Sequence, residues 1–537
     1  MIQKFLDNKV ISIVILLIFH FLYRFLLLSI NAFPFNSDEA IVGLMAKHIL
    51  DGENFIYFYG QSYMGSLDAY LVALGFLLFG EKVWVIRLIQ VMLYGLVIIF
   101  SYLFVDNSFQ NKKIAFVSSL FLVFPAVNVV LYTTVSLGGY GEALLFGVVS
   151  FYVAALIVKG IENHKKTNHV YLGILGFLLG IGLYVNPISL TMIFPAIVFV
   201  AWKMIKSIKS KKKKFGLLLF LLFFFLLGSA LFWYSLILTN GPSVIREIGG
   251  SAVSIESESY LQRTISHTIS LILFGPTIIL GLRPPWGVNL IGKFLVPIVI
   301  LYWFLVIYLF FKNRIYKFEE VPLFVALVGV IIFVAGGFIF TSFGIDPSGR
   351  YFLPIVFPLS VFFGYVFIKL NNKVIYVLGI ITLVFQIYGT WKSGIEEPYI
   401  TTQFYFPAQV DHSRINELQQ FLISEEEYYG FSNYWISYPL AFVSDEKIIS
   451  IPKLPYHQDL RYTERDNRIS KYNTIIENGN SFFYITSNNP ELDDLLVNAF
   501  RENHIDYLQK QIDDYHIFYN LSQKITSDEL GITNEFN

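Results

Sequence analysis

Long apolar runs alternate with short basic segments through roughly the first 390 residues of the chain. Each run holds about 17 to 25 residues, enough for a helix to cross the hydrocarbon core of a bilayer. Helix is the form expected there, because lipid offers no partner to an open backbone group. The pattern predicts membrane helices near 10–31, 84–105, 114–132, 142–158, 170–184, 187–203, 215–238, 292–311, 321–341, 351–369 and 374–391, about eleven in all. The first run follows Lys4 and Lys9 but is too long for a signal peptide. No small-residue cleavage pattern follows it, so it is expected to remain as a membrane helix.

The basic loops then share one side. They carry Lys4 and Lys9; Lys112 and Lys113; Lys159, Lys165 and Lys166; Lys203 to Lys214; Lys312, Arg314 and Lys317; and Lys369 and Lys373. Excess Lys and Arg marks the cytoplasmic face. The chain is therefore expected to be a multi-pass protein of the cell membrane with a cytoplasmic N-terminus. The lysines from Lys206 to Lys214 read as an anchor of that orientation. An odd number of crossings places residues 392–537 outside. This divides the chain into a transmembrane catalytic domain, 1–391, and an extracytoplasmic domain, 392–537. Two large loops, 32–83 and 239–291, also face outward, as does the short Phe343–Arg350 turn.

The loop 32–83 carries its own periodicity. Asn36 or Ser37 can cap a helix that starts at Asp38 and ends at Gly52. Ile41, Leu44, Met45, His48 and Ile49 fall on one face, which predicts a helix lying on the membrane surface. Leu67 to Phe79 is too short to span and reads as a second interfacial helix. The tail alternates helical and strand patterns. Helices are expected near 411–427 and 490–503, and strands at Tyr428–Ser432, Lys447–Ile451, Ser481–Thr486, around Tyr507 and at His516–Asn520. The fold class is thus an all-α polytopic membrane protein with a small α/β domain after it.

Composition narrows the function. Of 537 residues, 55% are hydrophobic and 15% charged, which excludes an ordinary soluble domain. The formal net charge is zero, so there is no basic footprint for nucleic acid. The absence of cysteine removes disulfides, thiolate chemistry and Cys-based zinc sites. There is no His-Glu-x-x-His pair, phosphate-binding Gly-rich loop or serine-nucleophile elbow. The nine histidines are scattered, and none reads as a metal ligand. Asp51-x-Glu53 resembles a metal-holding acidic pair but reads as a helix end.

The remaining chemistry gathers on the outward side. Asp38 and Glu39 open the first surface helix, where acids also favour the helix dipole. A carboxylate there can serve as a general base. Glu142 follows three glycines in Ser136-Leu137-Gly138-Gly139-Tyr140-Gly141-Glu142, a segment that lets a ligand or backbone approach closely. The outward cations are Arg87, Arg246, Arg263, Arg283, Lys293 and Arg350, with Arg24 inside the first helix. Arg350, opening Arg350-Tyr351-Phe352-Leu353-Pro354, can clamp a phosphate or anchor at the interface. Arg87 has the same two readings. Arg283, in Arg283-Pro284-Pro285-Trp286, can pack over a sugar face or anchor. Tyr429, Phe431, Tyr434, Trp435, Tyr438 and Phe442 crowd one stretch of the tail, either as its core or as a sugar-stacking surface.

Taken in order, these residues resemble the GT-C glycosyltransferases that use polyprenyl-phosphate sugars. The protein O-mannosyltransferases and the aminoarabinose transferases of lipid A are among them (glycosyltransferase family 39-like). The likeness rests on Asp38-Glu39 after the first helix and on the block Tyr59-Gly60-Gln61-Ser62-Tyr63-Met64-Gly65-Ser66-Leu67-Asp68-Ala69-Tyr70. It continues through Phe79-Gly80 and Arg87, Gly139-Tyr140-Gly141-Glu142, and Arg350-Tyr351 to Pro354, and covers roughly residues 5–390. The sequence departs from the aminoarabinose transferases at Met64-Gly65, where they carry Lys-Pro. It also lacks the Trp-Trp-Asp motif of oligosaccharyltransferases.

The resemblance implies transfer of one sugar from a polyprenyl-phosphate donor to a glycan, lipid or protein acceptor outside the cell, with inversion. Asp38 and Glu39 would be catalytic, and Glu142, Arg87, Arg350, Tyr351, Tyr63 and Arg283 would bind substrate. With a monophosphate leaving group no cofactor is required, although a divalent cation is compatible. Two other classes share the compartment, a surface-glycan polymerase or ligase and a transporter or flippase of lipid-linked sugars. A transporter is expected to show charges at the bilayer midplane and a pseudo-repeat, which this sequence lacks.

Overall fold

The computed structural model describes residues 8–162, 169–238, 241–248, 259–312, 321–346, 348–370, 372–457, 460, 463–477, 479 and 482–529. Lys4, Lys165, Lys166, Arg314 and Lys317 lie outside these residues, as do 239–240 and 249–258 of the second outward loop. The chain forms two compact units. One comprises Met1–Ala32, Ser62–Asp68 and Arg87–Ile400, and the other Phe33–Gln61, Ala69–Ile86 and Thr401–Asn537.

The first unit is helical and turned inside out. In the Lys9–Ser29 helix, Ser12, Leu16, His20, Tyr23, Arg24 and Leu27 are buried, whereas Val10, Ile18, Leu22 and Phe25 are exposed. Polar groups inward and apolar groups outward is the pattern of a helix whose solvent is lipid. Among the described residues seven helices are long and apolar enough to cross a membrane: Lys9–Ser29, Val83–Phe109, Tyr140–Glu162, Pro187–Ser207, Leu323–Phe340, Arg350–Lys369 and Lys373–Ile395. The other four predicted crossings are helical but differ in form. His169–Val185 and Lys293–Leu309 are short. The 215–238 run is a pair, Lys211–Gly228 and Ala230–Leu238, bent by 69°. The 114–132 run is Lys112–Val123 followed by Val127–Tyr132, with Pro125 in the break.

The bend and the break have local causes. Gly228 and Ser229 sit at the bend, and a Cβ on Gly228 would lie 2.2 Å from the Phe177 carbonyl oxygen. Gly180 meets the facing helix as closely, its Cβ position being 2.2 Å from the Phe225 carbonyl. Small residues spaced this way let membrane helices touch backbone to backbone. After the Pro125 break, Arg24 holds the Val127–Tyr132 helix from the first helix. Its guanidinium is fully buried and donates to the carbonyl of Val130 at 2.7 Å and the hydroxyl of Thr133 at 2.8 Å. A cation at a helix C-terminus complements the carbonyl end of the dipole.

The second unit contains a five-stranded sheet, ordered β2-β1-β3-β5-β4. Its strands are β1 Tyr429–Ser432, β2 Ile449–Pro452, β3 Phe483–Ser487, β4 Leu508–Ile512 and β5 Tyr515–Tyr519. β1 runs parallel to β2 and β3, while β5 is antiparallel to β3 and β4. Leu418, Leu422, Ile436, Leu440, Phe483, Ile485 and Ile517 form its core. All five strands were legible in the pattern. Two helices were not, Tyr434–Val443 and Lys471–Glu477.

This unit also changes the reading of the helix at Asp38. The Ser37–Leu50 helix does not lie on a membrane surface with one face wet, because Ala40 to His48 are all buried. Its second face, Val42, Gly43 and Ala46, is small and apolar. Gly43 leaves room for the Phe442 ring, whose edge would be 2.5 Å from an added Cβ. Most of the crowded tail aromatics are core as well: Phe431, Tyr434, Tyr438 and Phe442 are buried.

Candidate active site

In the second unit the site begins with a helix cap. The Asn36 side chain accepts from the Glu39 amide at 3.1 Å, which starts the helix and sets Asp38 and Glu39 in its first turn. Glu39 is fully buried, whereas Asp38 is half-buried. The tail meets this turn with a second helix start. Asn433 caps the Tyr434–Val443 helix by accepting from the Trp435 amide at 2.9 Å. Ser37 then donates to the Tyr434 carbonyl at 2.5 Å, and the Tyr434 hydroxyl donates to Asp38 Oδ1 at 2.5 Å. Burial, followed by the Asp38 charge, pushes the Tyr434 phenol well above its ordinary pKa.

Behind Tyr434 stands Arg468, its guanidinium carbon 5.7 Å from the ring centroid. Arg468 Nη1 donates to the Gly60 carbonyl at 3.2 Å, and the Gln61 amide, once turned so that its oxygen faces the guanidinium, accepts from both terminal nitrogens at 3.0 Å. Asp466 is buried nearby. Burial lifts its carboxyl to about 7 against the opposing pull of Arg468 and the hydrogen bond from Tyr456, and Asp38 adds to the rise. The Arg468 guanidinium is held above its ordinary pKa: burial opposes this, but Tyr434, Asp38 and Asp466 outweigh it.

Ion pairs at the other end fix the Ser37–Leu50 helix. Lys47 donates to the Phe442 carbonyl at 3.2 Å and to Asp445 at 2.8 Å. His48 joins Tyr59 and Glu446, each at 2.7 Å, and the Tyr472 hydroxyl donates to Glu446 at 2.7 Å. Burial works against ionisation of Glu446, yet His48, Tyr472 and Lys471 hold it at about 2. The turn bearing Asp38 is thus pinned at both ends of its helix.

The first unit holds the other candidates. Gly138 and Gly139 have φ of +89° and +79°, a left-handed step that L side chains resist. It leads into the Tyr140–Glu162 helix and sets Glu142 in its first turn, 1% exposed. A Cβ on Gly141 would lie 2.6 Å from the Gln90 amide oxygen, so the glycine makes room for that side chain. Gln90 Nε2 donates to Glu142 Oε1 at 2.8 Å and to Asp68 Oδ1 at 3.0 Å. Ser136 donates to the second oxygen of Asp68, and burial pushes the Asp68 carboxyl up. Met64 is buried, its methyl 2.8 Å from where a Gly138 Cβ would stand. The position where the aminoarabinose transferases carry lysine is a packing position here.

Arg350 is paired rather than open. Its Nε and Nη2 both bond Asp346, and Asp346 Oδ1 also accepts from the Ser348 amide at 2.7 Å. Asn128 steadies the turn through the Gly349 carbonyl at 3.0 Å. The Arg350 guanidinium stands 5.4 Å over the Tyr351 ring. Tyr140 and Tyr63 lie within electrostatic reach of Tyr351. Of the predicted substrate-binding residues, the structure therefore gathers Arg350, Tyr351 and Tyr63. Arg87 stands half-buried, one turn before Gln90 on the Val83–Phe109 helix. Arg283 turns inward. It is 6% exposed, 4.2 Å over the Phe274 ring, and bonded to Thr277 at 3.2 Å, and burial lowers its pKa.

Sequence reasoning gave no role of their own to Asp68, Gln90, Asp346, Asp466 and Arg468, and read Tyr434 only as core or as a sugar-stacking ring. The spacing of Asp346 and Arg350, one helical turn apart, was a readable sign of their pairing. Among the described residues no group of three or more His, Asp or Glu stands close enough to hold a metal ion.

Residues 66–229 match the family described as dolichyl-phosphate-mannose-protein mannosyltransferase. No curated protein matches by sequence. Among solved structures, ArnT from Cupriavidus metallidurans bound to undecaprenyl phosphate is 12% identical with a TM-score of 0.52, over 96% of this chain and 99% of that one. Its apo state is 10% identical with a TM-score of 0.53, over 93% and 94%. The archaeal oligosaccharyltransferase AglB from Archaeoglobus fulgidus, in complex with an inhibitory peptide and a dolichol-phosphate, is 12% identical with a TM-score of 0.50, over 96% and 75%. The structural likenesses show a shared fold, and over residues 66–229 the chain is similar to the dolichyl-phosphate-mannose-protein mannosyltransferases.

Proposed function

We propose that the protein transfers a single sugar from a polyprenyl-phosphate donor to the hydroxyl of an extracytoplasmic acceptor, a surface glycan, lipid or protein. The acceptor oxygen attacks the anomeric carbon while its proton passes to Asp38. The bond from that carbon to the phosphate oxygen breaks, and the lipid phosphate leaves with the electron pair. One displacement inverts the anomeric centre. Arg350, Tyr351 and Tyr63 offer charge and hydroxyl groups to the phosphate, and Glu142 to the sugar or acceptor. Arg87 is a further cation for the phosphate.

The observation that carries this reading is the state of Asp38. It is a half-buried carboxylate on a capped first turn, held through one oxygen by Tyr434. A general base needs such a fixed orientation. The donor class follows the family match and the lipid phosphates bound by the two solved relatives. The same reading puts residues 392–537 outside the cell. Lys9, Lys112, Lys113 and Lys159 line one depression of the first unit, as loops on a common cytoplasmic face would.

The test is Asp38→Asn in the full-length protein, assayed with a labelled polyprenyl-phosphate sugar and membrane acceptors. Folding and donor binding should persist while transfer falls by roughly 100-fold or more. Near-normal turnover would leave Asp38 as a helix-cap residue.

A further inference from the structure

We propose that the tail domain completes the catalytic centre, with Tyr434 as a positioning residue for Asp38 and Arg468 acting through Tyr434. The inference rests on the reading of Asp38 as the base.

A free carboxylate rotates about its Cβ–Cγ bond and presents either oxygen. The Tyr434 hydroxyl takes Oδ1 at 2.5 Å, so Oδ2 becomes the oxygen that receives the acceptor proton. Tyr434 is itself immobile. It is 3% exposed, its carbonyl is held by Ser37, and Trp435 and Tyr438 pack their rings on it at 4.9 and 5.4 Å. A phenylalanine would fill this space equally well. Packing therefore does not account for the hydroxyl, and its one acceptor here is the carboxylate of the proposed base.

Arg468 strengthens the phenol as a donor. Its charge faces the Tyr434 ring at 5.7 Å, and a cation over an aromatic face draws electron density from it. That makes the O–H a stronger donor to a carboxylate. The same guanidinium is fixed by Gly60 and Gln61, residues of the loop that follows the Asp38 helix. A tail arginine and a tail tyrosine are therefore tied to the Asp38 segment by direct bonds, across 408 and 396 residues of sequence. Deleting the tail should abolish turnover as well as any acceptor selection.

The experiment compares Tyr434→Phe, Arg468→Gln, Asp38→Asn and the Tyr434→Phe/Asp38→Asn double variant, all full-length and reconstituted, by single-turnover and steady-state transfer. Tyr434→Phe should keep its melting temperature and donor KM while kcat falls on the order of tenfold, the effect of losing a hydrogen bond to a charged group. Arg468→Gln should lower kcat severalfold in the same way. The double variant should be no slower than Asp38→Asn, because Tyr434 acts only through that carboxylate. Full kcat in Tyr434→Phe overturns the proposal, as does a loss that multiplies with that of Asp38→Asn. If Tyr434→Phe does not fold, Arg468→Gln decides, and full kcat there overturns it. Normal turnover in Asp38→Asn refutes the base assignment itself. Loss in Asp38→Asn with full turnover in Tyr434→Phe refutes only the part given to the tail.

Discussion

Replacing Asp466 by Asn should stabilise the protein at neutral and alkaline pH. The side chain is 8% exposed, and burial lifts its carboxyl from 3.8 to about 7. In the unfolded chain it ionises near the lower value. Between the two values the folded state binds the extra proton, so stability falls as pH rises across that window and levels off above 7. The rise from 3.8 to about 7 corresponds to about 4 kcal/mol. Asn carries no proton to lose, and its amide oxygen can still accept from Tyr456. The variant should therefore match the native protein near pH 4 and exceed it by about 4 kcal/mol at pH 8. The assay is thermal melting of the full-length protein in detergent from pH 4 to 8.5, read as the difference between the two proteins so that other titrating groups cancel. A pH-independent difference would refute the reasoning. A variant less stable than native at pH 8 would do so as well, since it would mean that the ionised Asp466–Arg468 pair outweighs the cost of burial.

Three further outcomes are expected. Arg350→Ala should weaken binding of the polyprenyl-phosphate sugar and leave the buried Asp346 unpaired, costing roughly 1–3 kcal/mol; unchanged donor affinity with lowered stability would make Arg350 a structural partner of Asp346 alone. Gly180→Leu should unfold or misassemble the first unit, because the added Cβ stands 2.2 Å from the Phe225 carbonyl and such overpacking costs roughly 1–3 kcal/mol or more; normal melting would show that the two helices can part. A reporter active only in the cytoplasm, fused after Trp391, should be silent, and activity there would reverse the proposed orientation.

The sequence by itself determined where the long apolar helices lie, since bilayer thickness sets how long an apolar run must be. It also determined the tail strands, through alternation, and the start of the Asp38 helix, through Asn36. The family resemblance was legible for the same reason, as an ordered set of short motifs. Pairing at a distance was not legible. The Ser37–Leu50 helix reads as amphipathic until the Phe442 ring, 399 positions after Gly43, covers its second face. Glu142 could be named from its glycines, but Gln90 and Asp68 come from other helices. Pro125 and Gly228 lie inside runs that read as single helices, because helices tolerate both when their neighbours allow it. Here the close approach at Phe177 accompanies the bend at Gly228. Asp38 itself stood out from its position, whereas its partner Tyr434 looked like one ring in a crowd of core aromatics. Local periodicity encodes which face of an element is apolar; only the tertiary structure decides what covers that face, and so which polar atoms meet.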